Sequence, residues 1–144
     1  MNIKEKLNIL QTTLHAPKNQ YNKFGNYKYR SLEDITEALK QPLKKLNCVF
    51  LMQDEVVAVC EKTYVRATIT LADCESDESI SVSAFAREAM DSKGMSPSQM
   101  TGSSSSYARK YACGGLLNLD ESQDDDATNT HGKTISKTNK GDLI

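Results

Sequence analysis

Between Cys48 and Glu88 the apolar residues gather in short β-rich runs, and on either side of that segment they follow a helical period instead. V-F-L-M, V-V-A-V-C, Y-V-R-A-T-I-T-L and I-S-V-S-A-F-A-R are rich in β-branched residues and are separated by polar stretches at 53–55, 61–63 and 73–79. Successive strand residues point to opposite faces, so Val65, Ala67, Ile69 and Leu71 share one apolar face with Ile80, Val82, Ala84 and Ala86. The other face carries Tyr64, Arg66, Thr68, Thr70, Ser81, Ser83, Phe85 and Arg87, and suits a ligand or plain water equally. The segment predicts an antiparallel β-meander of three or four strands. Packed on the flanking helices, it makes the fold class α+β.

Those helices are legible from their periods. Ile3, Leu7, Leu10 and Leu14 fall on one face of an amphipathic helix over residues 3–14. Ser31 opens the next: S-L-E-D places a hydroxyl at the N-cap and acids in the first turn, where the helix dipole favours them. Leu32, Ile35, Leu39, Leu43 and Leu46 form its apolar face, Asn47 is a C-terminal stop, and Pro42 predicts a kink or break near Leu39. Ser96-Pro97-Ser98-Gln99 fits a capping box with proline at the first helical position. The helix it opens is interrupted or closely packed at Gly102 and weakened or ended at Gly114-Gly115.

Between the first two helices, A-P-K-N-Q-Y-N-K-F-G-N-Y-K-Y predicts a short hairpin or ordered loop turning at Gly25-Asn26. Alternation in Y-K-Y-R puts Tyr27 and Tyr29 on one side, Lys28 and Arg30 on the other. The aromatics either pack inward or meet a ligand.

Charge does not decide between these uses. The net charge of −1 averages a body of +2 over residues 1–119 and a tail of −3 over residues 120–144, the latter with six acids against three lysines. The body is a globular domain large enough to bury a core, and the tail, lacking apolar periodicity, is expected to be disordered. A mildly basic body permits nucleic-acid binding without requiring it.

Several chemistries find no support. No apolar run approaches the ~18 residues of a membrane span, and M-N-I-K-E-K-L is no signal peptide, which points to a cytoplasmic protein. Cys48, Cys60, Cys74 and Cys113 are widely spaced, with only His15 and His131 as histidines, so four buried, reduced thiols are expected rather than a zinc site. There is no phosphate-binding G-x-x-x-x-G-K-[ST] loop and no nucleophile elbow, and Asp124–Asp126 are expected to be solvated rather than a metal site. Neither a cofactor nor an enzymatic activity is expected. Binding functions survive.

The candidate binding residues gather late in the chain. In G-S-S-S-S-Y-A-R-K-Y-A, tiny residues that allow close packing precede Tyr107, Arg109, Lys110 and Tyr111. Cations suit phosphates and aromatic rings suit bases.

This motif, with Y-K-Y-R-S-L-E-D-I-T-E-A-L-K-Q-P-L early, the β-rich middle and the acidic D-D-D, resembles the essential recombination function (Erf) family of phage and prophage single-strand annealing proteins. The resemblance runs from about Asn2 to Asp126. It implies a fold similar to that of single-strand annealing proteins, and an ATP-independent protein that coats single-stranded DNA and pairs it with a complementary strand. It also implies homo-oligomers, as rings or helical filaments, with a host or phage single-stranded DNA-binding protein as a further partner. Lys110 stands where a second Arg is common in the family, and Cys113 where a larger aliphatic is usual. Lysine keeps the charge but lacks the planar fork of a two-pronged phosphate contact.

On this reading Lys28, Arg30, Arg66, Arg87, Arg109 and Lys110 are the candidate DNA-binding cations, with Arg109 foremost, and Tyr27, Tyr107 and Tyr111 the candidate stacking rings. The alternative is a structural or protein-interaction module whose basic groups merely face solvent.

Overall fold

The computed structural model describes residues 1–88 and 94–119. In chain order these form α1 (Ile3–Thr13), β1 (Gln20–Asn22), β2 (Tyr27–Tyr29), α2 (Leu32–Leu46), β3 (Cys48–Val59), β4 (Lys62–Asp73), β5 (Ser79–Arg87) and α3 (Pro97–Leu117). The fold is α+β. A three-stranded antiparallel sheet in the order β3-β4-β5 carries the helices on one face, and β1 and β2 form a separate two-stranded hairpin. The expected disorder of the tail concerns residues outside those described.

The core forms where alternation predicts it. Val65, Ala67, Ile69 and Leu71 of β4 are at most 1% exposed, and they meet Ala108, Ala112, Cys113, Leu116 and Leu117 of α3. Ile3 and Leu10 of α1 and Ile35 and Leu39 of α2 close the same cluster. Each fully buried Leu, Ile or Val side chain contributes about 1.5–3 kcal/mol by leaving water. α3 is built for close approach: a Cβ on Gly115 would lie 3.4 Å from Val82 Cγ1 of β5.

Three local expectations are corrected. The polar triplet Gln53-Asp54-Glu55 is no strand break, because β3 runs unbroken for twelve residues in register with β4. Gln53 and Glu55 pair with Thr68 and Arg66 on the uncovered face, while Asp54 turns inward to meet α3. Nor does Pro42 end α2, which continues to Leu46 and closes at Asn47 in the left-handed region, φ 56°. The proline removes one backbone donor near the C-terminal end, while Leu39, Leu43 and Leu46 hold the helix to the core on either side of it. Finally, the cysteines are free thiols as expected, but only Cys48 and Cys113 are buried; Cys60 and Cys74 are exposed in turns.

The glycines of α3 neither interrupt nor end it, and the helix extends through Gly102, Gly114 and Gly115 to Leu117. The hairpin turns at Asn26, φ 54°, and pairs Tyr21 with Lys28. β3 and β4 turn through Cys60 and Glu61, φ 49° and 66°, a primed two-residue turn without its customary glycine or asparagine.

Two polar links fix α1 and α3 to the sheet. Lys6 on the inner face of α1 donates to Asp73 Oδ1 at 2.7 Å, with both side chains at most 4% exposed. The hydrogen bond from Lys6, with help from Ser76, lowers the Asp73 carboxyl to about 2. The second link, from α3 to β3, belongs to the site.

Candidate nucleic-acid interface

α3 presents the late motif, and its start explains its position. Ser96 Oγ accepts from the Gln99 amide at 3.2 Å while Gln99 Oε1 accepts from the Ser96 amide at 2.8 Å, with Pro97 leading the helix. Successive residues then turn by about 100° around the axis. Ala108 and Ala112 therefore face the sheet, Arg109 looks towards β3, and Tyr107, Lys110 and Tyr111 share the outer flank.

Arg109 is engaged within the chain. Its Nε donates to Asp54 Oδ1 and its Nη2 to Asp54 Oδ2, both at 3.0 Å, and Ser105 Oγ donates to the same carboxylate at 2.6 Å. Burial pushes the Asp54 carboxyl up, but the hydrogen bonds from Arg109 and Ser105 and the guanidinium charge outweigh it and hold it below the ordinary carboxylate value. The planar fork that suits a phosphate holds a carboxylate of β3 instead.

The two tyrosines behave differently. Tyr107 and Tyr111 are 54% and 49% exposed, and their rings lie 6.3 Å apart at 28°, close to parallel. They wall a groove of about 470 Å³ between α3 and the β5 edge, together with Phe85, Arg87, Met95 and Met100. Phe85 is itself 54% exposed. Exposed rings around a concavity are unusual for side chains that bury so much apolar surface when they can. Glu88, beside the groove, is held by Thr101 Oγ1 at 2.6 Å.

Lys110 joins this flank to the hairpin, its Nζ lying 5.4 Å from the centre of the Tyr29 ring. Tyr27 and Tyr29 share a face, with rings 6.0 Å apart, and Lys28 points the opposite way, as alternation predicts. Arg30 departs from a solvent-facing cation: it is 8% exposed and its Nε donates to the Ala16 carbonyl at 2.9 Å. Arg30 and Lys28 nonetheless line a second cavity, of about 580 Å³, with His15, Lys18, Asn118 and Leu119.

Arg66 lies on the uncovered sheet face, 3.4 Å from Glu55 Oε1 and 5.9 Å from the Phe85 ring centre. The structure thus brings Arg87, Tyr107 and Tyr111 together and connects Lys110 to the hairpin, while Arg109 and Arg66 pair with acids of β3. Phe85 was signalled by strand alternation but not as a groove wall. Met95 and Met100 carried no sequence signal, because their use depends on how α3 crosses β5.

Among the described residues no cluster of three His, Cys, Asp or Glu side chains is placed to hold a metal, and no helix is long and apolar enough to cross a membrane. Asp124–Asp126 lie outside them.

The profile of the ERF superfamily matches residues 3–142. The chain belongs to the ERF superfamily. It is 51% identical over 118 residues to the essential recombination function protein of Salmonella phage P22, an alignment covering 81% of this chain and 55% of that protein. This ERF chain therefore spans about half the length of the curated relative it matches. No solved structure matches it significantly. The late motif and the early Y-K-Y-R segment, on which the resemblance rests, are the parts of this ERF chain that form α3 and lead into α2.

Proposed function

We propose that the chain acts in phage homologous recombination by binding single-stranded DNA and pairing it with a complementary strand without ATP. The observation that carries this reading is the exposed Tyr107–Tyr111 pair, which walls a groove together with Arg87, with Lys110 between the two tyrosines in the sequence of α3. A stacked ring uses the face of a base and leaves its Watson–Crick edge open, which pairing with a second strand demands. Cations hold the phosphates without reading sequence.

In this mechanism Arg87, Lys110 and Lys28 are the principal phosphate contacts, and Tyr107 and Tyr111, with Phe85, space the bases. Arg109 and Arg66 support the site from β3, and Arg30 sets the base of the hairpin. Pairing long strands needs many such sites in a row, so the active species is a homo-oligomer, a ring or helical filament in the bacterial cytoplasm. A single-stranded DNA-binding protein is the natural companion that delivers the strand. No catalytic step is required.

One observation favours the competing reading of a protein-interaction module. Val49, Leu51 and Val59 stand 45%, 49% and 52% exposed on the uncovered face of β3, a surface suited to another protein. The readings separate in one experiment, fluorescence anisotropy of a labelled oligonucleotide with the Tyr107→Ala/Tyr111→Ala double variant. Base stacking is worth about 1–3 kcal/mol per base, so affinity falls by about tenfold or more while the fold persists. Unchanged affinity, or no binding by the parent protein, favours the module.

A further inference from the structure

Among the described residues the most exposed large apolar side chain is Phe24, at the tip of the β1–β2 hairpin, and Tyr21 of β1 is itself 52% exposed. A lone apolar side chain on a surface needs no explanation. This one stands on a turn fixed by its own residues. Asn22 Oδ1 accepts from the Phe24 amide at 2.9 Å and from the Gly25 amide at 3.1 Å, and Asn22 Nδ2 donates to the Tyr27 hydroxyl at 3.1 Å. The Tyr21 hydroxyl donates to Asn26 Oδ1, and Asn26 completes the turn in the left-handed region, φ 54°. An asparagine side chain that bonds the backbone two residues on stiffens a turn from within. The tip is ordered while the Phe24 ring stays in water.

The charge around the tip has one sign. Residues 18–30 contain no acid. Lys23, next to Phe24, and Lys28, the cross-strand partner of Tyr21, are exposed and form no ion pair among the described residues. Directly opposed residues of an antiparallel pair share a face, so Tyr21 and Lys28 stand together on the outer side of the hairpin. Tyr27 and Tyr29 take the other side, where Lys110 of α3 reaches the Tyr29 ring. That side is thereby joined to the α3 flank. The outer side and the tip present Tyr21, Phe24, Lys23 and Lys28 to an occupant that combines flat apolar faces with negative charge. Single-stranded nucleic acid offers both at every residue. A duplex hides its base faces in its own stack, and an acidic peptide repeats the charge without the flat ring.

We propose that Phe24 stacks on an unpaired base of single-stranded DNA at the hairpin tip, with Lys23 and Lys28 drawing the adjoining phosphates. The proposal rests on the DNA-binding reading and adds to it a ring contact on a different element from Tyr107 and Tyr111. A phenyl ring carries no hydrogen-bonding group, so it accepts any base and leaves the Watson–Crick edge open to a second strand. Because the turn is fixed before binding, the contact requires little further ordering of the chain.

The chain contains no tryptophan, so Phe24→Trp places a single indole reporter at the tip without removing the ring. Oligothymidine is added to the full chain at low salt, and indole emission is followed together with the anisotropy of the labelled strand. An abasic strand of the same length keeps the phosphates and offers no base. The expected result is a quench that saturates with binding of the thymidine strand and is absent when the abasic strand binds. Phe24→Leu keeps apolar bulk without a ring, and Phe24→Ala removes both. Each lowers affinity for the thymidine strand by about tenfold. Their urea midpoints stay at the parent value, because the exposed ring packs against nothing in the fold.

Binding with unchanged indole emission, an equal quench with the abasic strand, or equal affinity for Phe24→Leu and the parent each overturns the proposal and leaves the DNA-binding reading standing. A blue-shifted emission that develops with protein concentration in the absence of DNA would seat Phe24 against a second copy, and overturns it as well. Failure of the parent chain to bind any oligonucleotide overturns the DNA-binding reading itself, and the proposal with it.

Discussion

Arg109 of α3 and Asp54 of β3 form a two-pronged ion pair, with both N–O distances 3.0 Å and Ser105 donating to the same carboxylate. The pair ties the helix to the sheet strand farthest from β5, and so holds the tyrosine flank of α3 over the groove. It makes Arg109 an anchor whose charge is balanced within the fold, beside Lys110 on the outer flank.

Removing the anchor should cost stability more than affinity. Arg109→Ala loses charge-assisted bonds worth about 1–2 kcal/mol, towards the lower end because both groups are partly solvated. Urea titration measures this loss. At a temperature where both variants remain folded, Lys110→Ala should weaken oligonucleotide binding more than Arg109→Ala. The reverse order would place Arg109 in direct contact with DNA.

The Lys6–Asp73 pair predicts an acid-sensitive junction between α1 and β4. The Asp73 carboxyl is lowered to about 2 from an ordinary 3.8, so its contribution is complete above about pH 4 and is lost as pH falls through about 2. Lys6 is raised above 10.5, so its contribution is complete below that value and is lost only as pH rises beyond it. Denaturant midpoints should therefore fall between pH 4 and pH 2, and the fall should flatten in Asp73→Asn, which begins from a lower midpoint.

Gly102 should be replaceable. A Cβ there meets nothing within 4 Å and the backbone is helical, so Gly102→Ala gains about 0.5–1 kcal/mol from helix propensity alone. A thermal melt checks it. A loss of stability would mean that this position is approached closely by another chain.

These sites also show where a sequence yields its structure and where it does not. The core face of β4, the N-caps at Ser31 and Ser96 and the Asn47 stop follow from local rules of period and capping, and each forms as those rules require. Pro42 and the Gln53–Glu55 triplet mislead for one reason: a single lost donor or a polar run ends an element only when packing on both sides is weak. At Pro42 the leucines of α2 hold, and at Asp54 a residue of α3, 55 positions away, supplies the partner. The roles of Arg109 and Arg30 were illegible because a basic side chain in a motif looks alike whether its partner is a phosphate, a carboxylate of β3 or the Ala16 carbonyl. The groove itself needed the crossing of α3 over β5, which no local pattern encodes.

The central claim is ATP-independent pairing through phosphate and base contacts. Two complementary oligonucleotides mixed with the protein at two salt concentrations, without nucleotide, test it most directly through the pairing rate, with binding affinity followed in parallel. The account predicts faster pairing than for the strands alone. It also predicts that log affinity falls with log salt at a slope near −2 per protomer, from about three phosphate contacts at roughly −0.7 each. Salt-insensitive binding, or pairing no faster than that of the naked strands, would contradict it.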